Sequence, residues 1–286
     1  GDPAMHLAFP QPRVRLTTLN DEPIGLASDT LKALSKVRIG GEVVNEAGNL
    51  QADYNGVLEA KVFDKYVQRQ TLGNDGIIIN GELAILDFVT LGEGLFNGQA
   101  TVSNGTFEFE FVVPRDIQIP VGQGRVSLYS QRDNVLEDNE GYNLALKGGG
   151  RNENAPEDLI GPTINLFMND ESFVSGGFTN DSPRLIAKLE DENGINTASG
   201  IGHDMIAILD GDEANPIVLN EYYQADVDDY MRGTTTYRLR DLEEGLHVLT
   251  FKEWDVYKNS STADNQFLVT GNNTLKISRL LKNTNP

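Results

Sequence analysis

The stretch Thr106-Phe107-Glu108-Phe109-Glu110-Phe111-Val112-Val113 alternates apolar with polar almost to its end. Side chains on a strand point to opposite faces with period two, so Phe107, Phe109, Phe111 and Val113 share one face and Glu108 and Glu110 the other. An amphipathic helix would repeat its apolar positions every three or four residues, and this stretch does not. It reads as a half-buried strand. Asn104-Gly105 stands between it and Gln99-Ala100-Thr101-Val102. Asn-Gly between two such runs is a strong signal for a tight two-residue turn.

The same pattern extends in both directions. Upstream, Arg13–Leu19, Val37-Arg38-Ile39 with Glu42-Val43-Val44 across Gly40-Gly41, and Val57–Phe63 read as strands. Downstream come Arg125–Tyr129, Thr163–Phe167, Arg184–Leu189, Met205–Leu209, Thr234–Leu239, His247–Phe251 and Asp264–Val269. One helix is predicted, over 29–36, with Ser28 or Asp29 as its cap. Short strands separated by Gly, Asn and Asp turns predict an all-β chain of two consecutive immunoglobulin-like or fibronectin-like β-sandwich domains. Gly148-Gly149-Gly150 and the polar run after it read as a linker over 148–162. The first sandwich is then expected over 12–147 and the second over 163–271. Residues 1–11 read as the tail of an upstream domain, and 272–286 as a linker toward a further C-terminal domain.

Composition narrows the function classes. The 286 residues carry 23 Lys and Arg against 43 Asp and Glu, a formal charge of −20. Such a surface repels phosphate backbones and anionic lipid, which argues against nucleic-acid partners and electrostatic membrane attachment. No run approaches the ~18 apolar residues of a spanning helix, so direct membrane insertion is not expected. With no cysteine there is no thiol nucleophile, disulfide or Cys-ligated zinc. No phosphate loop, paired-His metal motif or nucleophile elbow occurs.

The remaining candidates are few. Asp191, Glu192 and Asn193 form an acidic loop with oxygen ligands suited to calcium, while the same residue types are also ordinary turn formers. Asp226, Asp228 and Asp229 form a second acidic group, read as a solvated loop. His203 beside Asp204 has the makings of a carboxylate-held base, but it has no nucleophile to serve, so a structural role is expected, and both stand as candidate interface residues. Tyr222 and Tyr223 alternate faces on a strand, leaving one of them free to mark an interface. Trp254 is expected in the core together with Val256, opposite Phe251, Glu253 and Asp255. No catalytic residue and no cofactor is assigned.

Several segments carry a family resemblance. Gly1-Asp2-Pro3-Ala4-Met5 is similar to the close of gingipain-type peptidase domains. The series Ser182–Asn196, Gly200-Ile201-Gly202-His203-Asp204, Leu209-Asp210-Gly211, Val218–Tyr223, Leu242–His247 and Trp254–Ser261 resembles the region downstream of the peptidase in PorU-type C-terminal signal peptidases. These gingipain-family enzymes are sortases of the type IX secretion system. The resemblance implies a Cys–His pair in a preceding domain, which joins cargo to anionic lipopolysaccharide after cutting its sorting signal. No residue here inherits that role. It also implies export to the outer-membrane surface or the extracellular space. The implied partners are the upstream peptidase domain of the same chain, other type IX components at the outer membrane and, indirectly, cargo proteins. The rival reading is an adhesion or glycan-binding module with Tyr222, Tyr223, Trp254 and the acidic loops as its contact set.

Overall fold

The computed structural model describes residues 11–24, 30–117, 120–199 and 202–271. The segments expected as an upstream tail and a downstream linker lie outside it, but for Gln11. The described chain is all-β, with one short 3-10 turn at Asn220–Tyr222. It forms the two expected sandwiches. The helix predicted over 29–36 is not formed in its described part: Leu31–Ala33 is a strand and Lys36 opens the next one.

In the first sandwich, one sheet runs in the order Thr106–Val112, Lys36–Val43, Val14–Leu19, Glu22–Pro23. The facing sheet runs Gly94–Val102, Gly56–Phe63, Arg125–Arg132, Asp138–Asn143. Phe107, Phe109, Phe111 and Val113 are all buried, as their alternation requires. The rings of Phe109 and Phe111 stack on Phe96 of the other sheet, with centroids 5.6 and 4.8 Å away. Asn104 and Gly105 both take positive φ and make the tight turn. That turn does not join a ladder, however. Only Ser103 and Thr106 bridge, and the two strands part into opposite sheets.

The stretch expected to begin the linker is largely a strand. Lys147–Arg151 lies between Gly122–Gln123 and Leu31–Ala33 and closes one end of the first sandwich. The glycines there serve close approach, since a Cβ on Gly149 would lie 2.7 Å from the Pro120 carbonyl oxygen, at φ 135°. The connector shortens to 152–162.

The second sandwich pairs the sheet Thr163–Met168, Arg184–Glu190, Asp229–Arg238, Tyr223–Asp226 with Gly177–Thr179, Ser260–Val269, Gly245–Trp254, Ile206–Leu209, Ile217–Val218. Here one expectation is overturned. The Gly245–Trp254 strand buries His247, Leu249, Phe251 and Glu253, and leaves Trp254 half-buried beside Lys252. Period two along one strand allows a single phase, and Leu249 with Phe251 sets it upstream of the tryptophan. Val256 is still buried because the chain turns at Asp255, where the alternation ends. Lys252 Nζ covers one side of the indole at 4.6 Å, and His203 meets it edge-on at 4.8 Å.

This phase predicts an order of severity. Leu249→Ala, at a fully buried site, should cost about 2–5 kcal/mol, and Trp254→Ala about 1–2. Thermal unfolding of both variants checks it, and a larger fall for Trp254→Ala would return the tryptophan to the core.

Candidate functional site

Apolar core residues of both sandwiches form one continuous cluster, with Phe96 on one side and Tyr223 and Ala225 on the other. The approach is close because Gly98 has no side chain: a Cβ there would run into the Phe96 ring and sit 3.0 Å from Ala225 Cβ. Two polar anchors flank this apolar seam. At one end, a turn of the second sandwich lies along the edge of Gly94–Val102. Val227 bridges Gln99 in parallel, and Asp228 accepts from the Thr101 backbone N–H at 2.8 Å and its hydroxyl at 2.6 Å. Asn97 Nδ2 donates to the Tyr223 carbonyl at 2.6 Å.

At the other end, Asp116 of the first sandwich is the hub. It accepts from Asn196 Nδ2 at 2.9 Å and pairs with Lys258 Nζ at 2.7 Å, with His203 Nδ1 at 3.4 Å. The neighbouring Arg115 N–H donates to the Val256 carbonyl at 2.9 Å, and the Arg115 guanidinium lies 5.8 Å from the Tyr257 ring centre. His203 therefore has a structural post between Trp254 and Asp116. Asp204 is half-buried next to it. Tyr223 is only 2% exposed and belongs to the core, so it offers no outward contact. Tyr222 is exposed and meets Tyr237 edge-on at 5.0 Å. Asp226 and Asp228 are exposed, as expected of a solvated loop, and Asp228 also serves as the anchor described above.

The acidic loop also gathers differently from expectation. Among the described residues, the carboxylates around Asp191 are Asp158 of the connector and Asp255, with oxygens within 4.8 Å of one another, while Glu192 is exposed. Amides serve all three. Asp191 Oδ1 accepts from the Asn193 and Gly194 N–H groups, Asp158 Oδ2 from Asn193 Nδ2, and Asp255 from the N–H and Nδ2 of Asn259. Asn259 Nδ2 also reaches the Asp158 carbonyl at 3.1 Å, which ties the connector to the second sandwich. Burial pushes the Asp191 carboxyl up to about 7. The adjoining Asp255 and Asp158 carboxylates act in the same direction, against the two backbone donors.

An arm over 65–92 leaves the first sandwich between Gly56–Phe63 and Gly94–Val102. It is built from two small antiparallel pairs, Val67–Gln70 with Asp87–Thr90 and Ile78–Ile79 with Glu82–Leu83. Its apolar side chains face outward: Leu72 is 83% exposed, Ile78 67% and Leu86 66%. Ile77, Ile79, Phe88 and Val89 are exposed as well. So many exposed apolar side chains on one short arm make it a candidate contact surface.

No family model matches the chain, and no curated protein matches it. Among solved structures, dimeric latent PorU from Porphyromonas gingivalis matches over 95% of this chain, with 29% identity and a TM-score of 0.53. The chain is similar to one region of PorU. It spans about a quarter of that protein, 25% of the PorU chain. The coverage takes in both sandwiches, so the likeness to PorU concerns the pair and not one module alone. The fibronectin(III)-like modules of Clostridium thermocellum CbhA align over 90% of this chain and 94% of theirs, at 13% identity and a TM-score of 0.25.

Asp191 gives this PorU-like region a pH dependence of known sign. The folded state holds the proton up to about pH 7, whereas an unfolded Asp releases it near 3.8. The stability so gained is complete below the lower value and is lost as pH rises through the higher one. The Tm of the parent should therefore fall more between pH 5 and pH 8 (about the two sides of that titration) than the Tm of Asp191→Asn. Equal slopes in the two proteins would remove Asp191 from the account.

Proposed function

We propose that this chain is the non-catalytic, paired-sandwich region of a PorU-like cysteine endopeptidase that processes the C-terminal sorting signals of type IX cargo. The observation that carries the reading is the seam. One apolar core and two polar anchors hold the sandwiches as a rigid pair, which suits a brace for a peptidase domain and a spacer from the outer membrane. The likeness to PorU over both sandwiches supports the same reading. So does the composition, because a chain with no cysteine lacks that family's nucleophile. The partners on this reading are the peptidase domain of the longer chain and other type IX components at the outer-membrane surface, with cargo met indirectly. The exposed arm would meet another protein, and the dimeric state of the PorU structure favours a second copy of the peptidase.

The adhesion reading loses the aromatic part of its contact set here. Tyr223 is in the core, and Trp254 is covered by His203 and Lys252. The three aromatic residues do not form a platform.

Two experiments test the proposal. The purified chain should not hydrolyse peptides ending in type IX sorting signals, and hydrolysis abolished by His203→Ala would overturn it. In the full-length peptidase, replacing residues 66–91 with a short Gly-Ser turn should shift the protein from dimer to monomer by light scattering. The Tm of the isolated chain should change little. A dimer that survives the replacement would dismiss the arm as the contact.

A further inference from the structure

Glu253 is a carboxylic acid in an unusual place. It is 0% exposed on the inward face of Gly245–Trp254, and neither of its carboxyl oxygens meets a hydrogen-bond partner among the described residues. The Trp254 backbone N–H lies near enough to favour the charged form, yet it makes no hydrogen bond with it. The titratable groups facing it are Asp255 on its own chain segment, Asp204 on the approach to Ile206–Leu209, and Tyr223 on the opposing sheet. All are acidic, and no lysine, arginine or histidine is among them. The Tyr223 hydroxyl is buried and unpartnered as well. An ionised carboxylate in such a place is uncompensated, and burying one costs several kcal/mol. Burial drives the Glu253 carboxyl well above the ordinary range, and Asp255 and Asp204 add to that.

Its position in the chain gives this chemistry a consequence. The residues immediately after Glu253 are the ones that grip the first sandwich. The Trp254 carbonyl accepts from Asn196, whose side chain holds Asp116. Trp254 also backs His203 against Asp116. The Val256 carbonyl takes the Arg115 N–H, and Lys258 pairs with Asp116. Glu253 is thus the root of the grip. Its own backbone pairs with Ser261 at the end of the ladder, where only Trp254 and Ser260 follow. Beyond the ladder the chain is held by the Ile195–Asp255 bridge and by the Val256 N–H on the Gly194 carbonyl, so opening the grip breaks these bonds as well.

We propose that Glu253 is a proton-held lock on one end of the seam: with its proton, residues 253–258 grip Arg115 and Asp116; without it, that grip opens and the sandwiches pivot on the remaining apolar contact between Phe96 and Ala225. The proton leaves to solvent, and the carboxylate follows it into water by peeling the end of its strand outward. The rest of the second sandwich stays folded, since Leu249 and Phe251 further up the strand remain packed. The device makes the rigidity of the pair a function of pH.

The chain has no cysteine, so two can be introduced cleanly. Leu136→Cys in the first sandwich and Ala214→Cys in the second both lie on exposed turns and accept spin labels. Double electron–electron resonance on the full chain should give one narrow distance distribution at pH 6.5, and a second, separate population as the pH is raised into the alkaline range below unfolding. Glu253→Gln keeps the shape and cannot ionise, so its distribution should stay narrow across the same range. Glu253→Met should do the same if Gln packs poorly. A second population that appears at the same pH in both variants would overturn the proposal and move the opening to Asp191 or His203. A parent distribution unchanged up to the unfolding pH would overturn it as well.

Discussion

The ring of Phe96 is packed against Phe109 and Phe111 inside the first sandwich, and it reaches the second sandwich across Gly98, where Ala225 comes close. Much of the remaining architecture follows from that contact. Two sandwiches joined by an eleven-residue connector over 152–162 would ordinarily move independently, because interfaces between domains tend to be polar and modest. Here the apolar core crosses the seam, so swinging one sandwich away would expose Phe96, Ala225 and Tyr223 at a cost of roughly 25 cal/mol for each Å² uncovered. The polar anchors add direction to this. Asp228 on Thr101 and Asp116 with Asn196 and Lys258 fix where along the edge the sandwiches meet.

Much of the fold was legible because strand periodicity is a local property. Phe107, Phe109 and Phe111 announce their face without reference to any other strand. The Trp254 face was misread for the same reason, in reverse. The last residues of a strand contain both phases, and the indole outweighed Leu249 and Phe251 a few positions upstream, although a single strand must keep one phase throughout. The Gly148-Gly149-Gly150 run was misread because glycine signals both freedom and close approach. Sequence does not separate the two, and only the backbone of 120–121 pressing on Gly149 does.

The site was less legible, for a different reason. Asp116, Asn196, His203 and Lys258 are separated by up to 142 positions in the numbering, and nothing near Asp116 marks it as a hub. The acidic loop was visible, but its true companions, Asp158 and Asp255, come from the connector and from the end of another strand. Glu253 carried the one local signal that was available. An acid alternating with Leu249 and Phe251 in a core-facing phase is a buried acid, once the phase is read correctly.

That burial bears on how a chain of charge −20 holds together at all. On the surface, acids are solvated and screened within about 8–10 Å, so their mutual repulsion is mild. Asp158, Asp191, Asp204, Asp255 and Glu253 instead crowd one end of the second sandwich, where screening is weak and Lys258 is already committed to Asp116. Such a cluster persists only if amides or protons replace the missing cations. Asn193 and Asn259 supply amides to three of these carboxylates. Glu253 has no amide within hydrogen-bond geometry, only the Trp254 backbone N–H nearby, so its proton is the chief means of neutralising it. The end of the sandwich that grips its neighbour is therefore also the end whose electrostatics depend most on pH, and rigidity across the seam and protonation within it become one property.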